Sequence, residues 1–287
     1  MEHRVLGKTG LQVSEIGFGG APSGLANYLG AWDPTAEAAA RQVEDALRHA
    51  VERGVNYFDT APGYGGGLSE SMYGRALRPM RDQVVLATKV TGQTAAEVSA
   101  SVEASLRRLQ TDYVDIIQYH GGWYTDADAD RMLGPNGALE GMARLREQGK
   151  VRWIGFTTEG DNGPVSRLIA SGQFDMMQIC YNLIYQGPCD PSRKAGVLYE
   201  AEAQGMGIVT MRPLTSGILQ HWLRHIDPAL EGQVDWARHL LGFVLSNPMV
   251  DVALVGMRSA ARVDQNIAIA EDPSMRIDLD AMHTRYV

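Results

Sequence analysis

Short apolar segments alternate with helical segments along nearly the whole chain, and this alternation limits the possible folds more than any other feature. Helical patterns follow most of the apolar segments; the clearest begins at Thr94, where Thr94 and Glu97 predict a capping box. Strands that alternate with helices form parallel βαβ units. Eight strands are predicted, at residues 16–18, 57–59, 84–89, 114–120, 153–156, 176–179, 207–211 and 252–255.

Eight βα units predict an α/β fold of the closed (β/α)8 TIM-barrel type, which typically takes ~250 residues; the chain has 287. Residues 4–15 predict an N-terminal β-hairpin before the barrel. The competing fold is a doubly wound sheet, which typically carries the motif G-x-G-x-x-G after its first strand. In this chain Pro22 occupies the position of the third glycine. No linker divides the chain, so we expect residues 1–287 to form one barrel domain.

Composition and net charge limit the kinds of partner that the chain is expected to bind. The net charge is −8, and no Lys/Arg run stands out, which argues against nucleic acid or an anionic membrane. No apolar stretch is long enough to span a bilayer. Cys180 and Cys189 match no zinc spacing, and two cysteines fit a reducing compartment, so we expect no metal site and a cytoplasmic location.

Two longer segments are expected to be loops. Residues 126–136 are polar, and their alternating aspartates hint at calcium, but the central glycine and closing glutamate of an EF-hand are absent. We therefore expect a solvated loop there. Residues 214–234 are long for a βα connection, which predicts a functional loop over the barrel mouth.

Four ionisable residues lie at or just after predicted strand ends: Asp59, Tyr64, Lys89 and His120. The carboxyl ends of barrel strands meet at one face, so these side chains should converge. Asp59 supplies the counter-charge that a shielded Lys89 needs. The ammonium should lower the pKa of Tyr64 towards neutrality. Because His120 can donate a hydrogen bond to a developing oxyanion, the four could polarise and protonate a carbonyl.

At these residues the chain resembles the aldo-keto reductases. The resemblance covers nearly the whole chain, with the motifs in the family's order. It implies a nicotinamide cofactor extended across the barrel mouth. Hydride would pass from nicotinamide C4 to the carbonyl carbon while Tyr64 protonates the oxygen. The segments that carry the resemblance are 6–14, 56–65, 86–89, 115–120, 149–155 and 255–259.

The resemblance also implies a set of cofactor contacts. Gln178 matches the glutamine that holds the carboxamide, and Thr157 keeps a hydroxyl at the end of the fifth strand, whereas the next position, Thr158, lacks the usual amide. Met211 or the guanidinium of Arg212 would cover the nicotinamide ring. The expected cofactor-binding residues are Gly19, Gly20, Asp59, Thr157, Gln178, Tyr181, Met211, Arg212, Leu214, Gly217, Gly256, Arg258, Ser259, Arg262, Gln265 and Asn266.

The adenosine end of the cofactor would be held by Arg258, Ser259, Arg262, Gln265 and Asn266. Two arginines, Arg258 and Arg262, favour a 2′-phosphate, hence NADPH, with NADH as the alternative. Trp123 and Tyr124 follow His120 and are candidates for substrate-pocket walls; the alternative is ordinary loop packing.

Three functions are compatible with this resemblance. The leading hypothesis is an NADPH-dependent carbonyl reductase. Residues 64–70 are similar to the branch that oxidises aldoses and sugar lactols, often with NAD. A cofactor-binding regulatory subunit is the alternative from a different class. We expect a small carbonyl or sugar substrate and a monomer or small homo-oligomer. The chain ends soon after the last predicted helix, so the substrate site should be open, or closed by residues 214–234 or a neighbouring subunit.

Overall fold

Eight parallel strands close into a barrel in the computed structural model, which describes residues 1–230 and 232–283. The predicted (β/α)8 barrel is therefore confirmed. The strands are β1 His3–Val5, β2 Gln12–Ser14, β3 Ile16–Gly19, β4 Tyr57–Asp59, β5 Val85–Val90, β6 Val114–His120, β7 Val151–Thr158, β8 Met176–Cys180, β9 Gly207–Met211 and β10 Val252–Val255. Strands β3 to β10 pair in chain order and β10 closes on β3, while β1 and β2 form the predicted antiparallel hairpin.

Helices lie between the barrel strands and after the last one. They are α1 Ala21–Gly24, α2 Glu37–Glu52, α3 Leu68–Leu77, α4 Ala95–Leu109, α5 Asp126–Leu133, α6 Ala138–Glu147, α7 Gly163–Ala170, α8 Val197–Ala203, α9 Ile218–Ile226, α10 Trp236–Leu245, α11 Ala260–Ala270 and α12 Leu279–His283. The capping box predicted for α4 is present: the Thr94 side chain accepts from the Glu97 amide, and the Glu97 carboxylate accepts from the Thr94 amide. None of the described helices is both long and apolar enough to cross a membrane.

The two-residue period of the strands sorts side chains into two cores. Outward-facing residues pack against the helices. Inward-facing residues form a smaller cluster that includes Tyr57, Ala87, Ile116 and Met176, and the hairpin side closes it with Leu6. Two residues further along each of these four strands, the interior turns polar. The inward positions there are Asp59, Lys89, Gln118 and Gln178, all buried. The strand period thus brings polar side chains together at one end of an apolar interior.

The segment 126–136 was wrongly predicted to be a loop. It contains α5, which begins with a second capping box formed by Thr125 and Asp128. Ala129 and Met132 are buried on its inner face. The aspartates at its start favour a helix N-terminus, and Arg167 donates hydrogen bonds to both Asp126 and Asp130. The acidic spacing therefore reflects a helix start and a surface ion-pair cluster.

The segment 214–234 has more regular structure than a loop. A short 3₁₀ turn at Thr215–Gly217 leads into α9, which lies at the barrel mouth with no fully buried residue. Glu231 in this segment lies outside the described residues. The long connection predicted over the mouth therefore contains a nine-residue helix.

Candidate active site

A buried ion pair occupies the carboxyl end of the barrel interior. Lys89 Nζ donates to Asp59 Oδ1 at 2.5 Å and to the Thr60 carbonyl at 2.9 Å. The second carboxylate oxygen, Oδ2, accepts from Gln118 Nε2 at 2.9 Å. Burial alone would lower the pKa of Lys89, but the facing Asp59 carboxylate and Tyr64 together outweigh burial and raise that pKa. Lys89 is therefore a protonated cation.

Tyr64 and His120 stand over this pair. The Tyr64 ring centroid lies 5.0 Å from Lys89 Nζ, and the His120 ring meets the Tyr64 ring edge-on at 5.8 Å. The Tyr64 carbonyl accepts from the Ser69 amide at 3.2 Å. A Cβ atom on Gly24 would lie 2.3 Å from that carbonyl oxygen, so only glycine permits this close approach. The four residues singled out in the sequence thus lie together.

The predicted shift of the Tyr64 pKa was wrong in direction. Burial raises the pKa of Tyr64 above its ordinary value, and Lys89 only partly opposes that effect. A phenolate loses more solvation in this site than one neighbouring ammonium restores. Tyr64 therefore carries its proton at neutral pH, and Lys89 limits the cost of losing it.

Burial has the opposite consequence for the imidazole. Desolvation, reinforced by the positive charge of Lys89, lowers the pKa of His120 to about 4. His120 is therefore neutral at physiological pH and can present one N–H to an oxygen beside Tyr64. The site holds two neutral donors next to one buried cation.

Two adjoining cavities form a groove across the barrel mouth. The first has a volume of about 670 Å3 and is lined by Tyr64, His120, Gln178 and Met211 among others. The second, of about 740 Å3, lies beside α11. The residues lining both cavities, which therefore join them, are Pro22, Leu29, Leu214 and Gly256. A long ligand could reach from the ion pair to α11.

The inner end of the groove fits a carboxamide. Gln178 is buried, and its Oε1 has no hydrogen-bond partner, while its Nε2 lies 3.8 Å from the Met211 sulfur. An orphaned amide oxygen in a cavity wall matches an amide donor on a ligand. Arg212 lines the same cavity, but its guanidinium forms two hydrogen bonds to Glu159, at 2.9 and 2.7 Å. The other expected residues lining this cavity are Gly19, Gly20, Asp59, Thr157, Leu214, Gly217 and Gly256.

The outer end of the groove fits an anionic group. Arg258 lies with its guanidinium 4.4 Å from the Trp32 ring centroid, and its buried Nη1 has no partner. Arg262, Gln265 and Asn266 line the same cavity. Ser259 caps α11 by accepting from the Arg262 amide, and it lines neither cavity. A phosphate here would meet two guanidinium groups near a helix N-terminus.

The structure does not match the cofactor contacts expected of two further residues, Thr157 and Tyr181. Thr157 reaches the cavity, but its hydroxyl donates to the Gly121 carbonyl at 2.8 Å and accepts from the Gly121 amide at 3.0 Å. Tyr181 does not reach the groove: it is buried, with its ring 5.5 Å from that of Phe243. The side chain points from the end of β8 into the layer beneath α10, so the cofactor contact expected of Tyr181 is not supported.

The two residues expected to form walls of the substrate pocket do not line the cavity. Tyr124 is buried and donates to the Thr157 carbonyl at 2.9 Å, so ordinary loop packing describes it. Trp123 is 64% exposed and lies against Gly160, and neither residue lines the cavity. The walls beside Tyr64 come instead from Tyr28, Glu159 and His221. Tyr28 Oη lies 3.3 Å from Ser216 Oγ, which links two loops across the mouth. No motif spacing marks these three residues in the sequence.

Comparison with known proteins gives a consistent set of relatives. The sequence model of the aldo/keto reductase family matches residues 15–238. L-Galactose dehydrogenase from Arabidopsis thaliana is 30% identical over 98% of this chain and 92% of its own length. Methylglyoxal reductase from Escherichia coli is 29% identical, over 91% of this chain and 90% of its own length.

Among solved structures, an aldo/keto reductase from Klebsiella pneumoniae in complex with NADP and acetate superposes with a TM-score of 0.77. It is 26% identical and covers 99% of this chain and 95% of its own. An aldo-keto reductase from Pseudomonas aeruginosa, described as putative, has a TM-score of 0.72 at 29% identity and covers 93% of both chains.

The depressed pKa of His120 predicts a pH-dependent change in stability. Between the unfolded value near 6.5 and the folded value of about 4, the unfolded chain binds the proton more readily, so stability falls as the pH falls. His120→Asn lacks this penalty. We expect wild type to lose stability relative to His120→Asn by on the order of 1 kcal/mol between neutral and mildly acidic pH. Urea unfolding at both pH values measures it; a constant difference would contradict the neutral imidazole.

Proposed function

The chain belongs to the aldo/keto reductase family, and from that premise we propose that it is an NADP(H)-dependent oxidoreductase that interconverts a small aldehyde or ketone and its alcohol. One observation carries the proposal. The buried Lys89–Asp59 pair lies directly under Tyr64 and His120, at the inner end of a groove that fits a dinucleotide.

Each side chain has a distinct part in this proposal. A bound nicotinamide cofactor supplies or accepts the hydride. The Tyr64 phenol gives its proton to the carbonyl oxygen during reduction, and Lys89 stabilises the phenolate charge that results. Asp59 keeps Lys89 protonated inside the barrel. Neutral His120 donates a hydrogen bond to the same oxygen and orients the carbonyl towards the cofactor.

The groove supports NADP(H) as the cofactor. The unpartnered Gln178 oxygen would accept from the carboxamide, and Arg258 and Arg262 would hold the 2′-phosphate. The Klebsiella pneumoniae relative binds NADP on the same fold. NADH lacks that phosphate, so Arg258 and Arg262 would have no 2′-phosphate to bind.

The protonated state of Tyr64 at neutral pH supports reduction as the leading candidate. Oxidation needs Tyr64 as a base, and burial raises the pKa at which the phenolate forms. The similarity to L-galactose dehydrogenase, which extends over 98% of this chain, supports sugar oxidation as the second candidate. Initial rates with NADP or NAD and aldoses, set against NADPH or NADH and small aldehydes, separate the two directions.

We also propose that residues 1–287 form a single domain and act in the cytoplasm as a monomer or small homo-oligomer. Free Cys180 and Cys189 support a reducing compartment, and a net charge of −8 supports small-molecule partners rather than nucleic acid. A regulatory subunit is disfavoured because a cofactor-sensing role would not need a buried ion pair beneath a phenol. Tight NADPH binding without turnover of any carbonyl or sugar would support that alternative instead.

Tyr64→Phe tests the proton donor. The change removes one hydroxyl and keeps the ring, so NADPH should bind as before while single-turnover hydride transfer falls by roughly 10²- to 10⁴-fold. Tyr199→Phe, on α8 away from the groove, is the matched control and should keep wild-type turnover. Unchanged turnover in Tyr64→Phe would refute the mechanism.

Arg262→Ala tests the 2′-phosphate site. Losing one charge-assisted contact should raise the NADPH dissociation constant roughly tenfold, while the NADH constant stays near wild type. Fluorescence titration with each cofactor measures both constants. Arg144→Ala, an exposed arginine on α6, controls for the change in net charge. Equal weakening of NADPH and NADH would place the phosphate elsewhere.

A further inference from the structure

Gln118 is a buried polar residue beside the ion pair that no part of the mechanism above uses. It lies on β6, in register with Lys89 on β5, and is 0% exposed. Its Nε2 donates to Asp59 Oδ2 at 2.9 Å, on the carboxylate oxygen that Lys89 does not contact. Its Oε1 is buried and has no hydrogen-bond partner.

The amide has only one orientation that suits an ionised Asp59. A carboxylate only accepts hydrogen bonds, so it needs the NH2 end of Gln118. The reversed amide would set Oε1 against Oδ2, two acceptors that repel each other unless a proton lies between them. The observed contact therefore selects the ionised form of Asp59, with Lys89 on one oxygen and Gln118 on the other.

This arrangement is costly for a residue whose role is only structural. An unpartnered amide oxygen inside a barrel destabilises the folded state, and an apolar side chain of similar size would avoid that loss. Met176 and Ile116 fill neighbouring inward positions without any such cost. The contact that distinguishes Gln118 from them is its hydrogen bond to Asp59.

We propose that Gln118 is a positioning residue for the reaction: it holds Asp59 in the ionised form, so that Lys89 keeps its full charge next to Tyr64. The inference rests on the proposed function for its kinetic consequences. Its electrostatic part, the control of Asp59 protonation, stands independently of the substrate.

The surroundings leave few other groups to set the charge of Asp59. Burial raises the pKa of Asp59, and Lys89 and Gln118 oppose that rise. The described titratable groups that interact with Asp59 or with its partner Lys89 are Tyr57, Tyr64, Tyr73 and His120. Burial holds each of these neutral at physiological pH, so Lys89 is the one cation among them and the Gln118 amide is the remaining donor.

Gln118→Met removes the donor and keeps the volume. The pKa of Asp59 should rise further, so the acid limb of the kcat/KM profile should move up by about one pH unit, a tenfold change in the protonation equilibrium. The melting temperature at neutral pH should fall, since Asp59 Oδ2 loses its hydrogen-bond donor inside the barrel. The NADPH dissociation constant should stay at its wild-type value.

Gln118→Glu should affect the opposite limb. The introduced carboxyl would share one proton with Asp59, and while it keeps that proton it donates as the amide does. When the proton leaves, two carboxylates face each other and the site fails. Turnover should therefore be retained at low pH and lost as the pH rises. The basic limb of the kcat/KM profile should move to lower pH.

Ile116→Val, which alters inward packing on the same strand without touching a hydrogen bond, is the matched control and should leave both limbs in place. Opposite limb shifts in the methionine and glutamate variants support the proposal. A uniform loss of turnover with unshifted limbs would overturn it and make Gln118 a packing residue.

A second readout separates this proposal from the proposed function. Because the folded state of Gln118→Met binds a proton at Asp59 more tightly, its melting temperature relative to wild type should rise as the pH falls from about 8 to about 5. This holds even if wild type turns over no carbonyl or sugar, an outcome that would refute only the proposed function. A melting-temperature difference independent of pH would overturn the role of Gln118.

Discussion

The buried ion pair between Lys89 and Asp59 is the interaction on which the rest of the site depends. Both charges lie inside the barrel, where desolvation is costly unless each charged group is paired. The strands meet that requirement because their ends converge: β4 brings Asp59, β5 brings Lys89 and β6 brings Gln118, with the Thr60 carbonyl as a further acceptor. The closed parallel barrel therefore supplies the partners that offset the desolvation of the buried charges.

Burial around that pair determines the chemical state of the two groups above it. It raises the pKa of Tyr64 and lowers that of His120 to about 4, so both are neutral near neutral pH. Neither group would then add a charge of its own to the groove before a reaction. A negative charge that forms on Tyr64 has one cation within 5.0 Å of the ring, and little water competes for it. Tyr64 therefore enters a reaction as a protonated phenol, and Lys89 stabilises the charge that remains if the proton leaves.

Regular spacing made much of this predictable from sequence. The strand positions and the convergence of Asp59, Lys89 and His120 follow from the βα alternation, since parallel strands carry their ends to one face. The direction of the Tyr64 pKa did not follow, because burial depends on residues distant in sequence. Side-chain direction was also hidden: Tyr124 follows His120 closely but turns into the core.

Local signals were sometimes present and misinterpreted. The helix α5 begins with a capping box at Thr125 and Asp128, but the surrounding aspartates suggested a solvated loop. Tyr28 and Glu159 line the cavity from loops without a recognisable pattern. Gln118 lies within an apolar strand, where only the neighbouring strands reveal that its amide faces Asp59.

The central claim is that the positive charge of Lys89, held by Asp59, enables proton transfer by Tyr64. The most direct test is single-turnover hydride transfer in the double variant Asp59→Asn/Lys89→Met, which removes both charges together and so leaves neither one buried alone. Far-UV circular dichroism and NADPH titration establish that the variant folds and binds. The account predicts that hydride transfer falls by about a hundredfold or more while NADPH binding persists. Transfer at the wild-type rate in a folded, cofactor-binding double variant would contradict it.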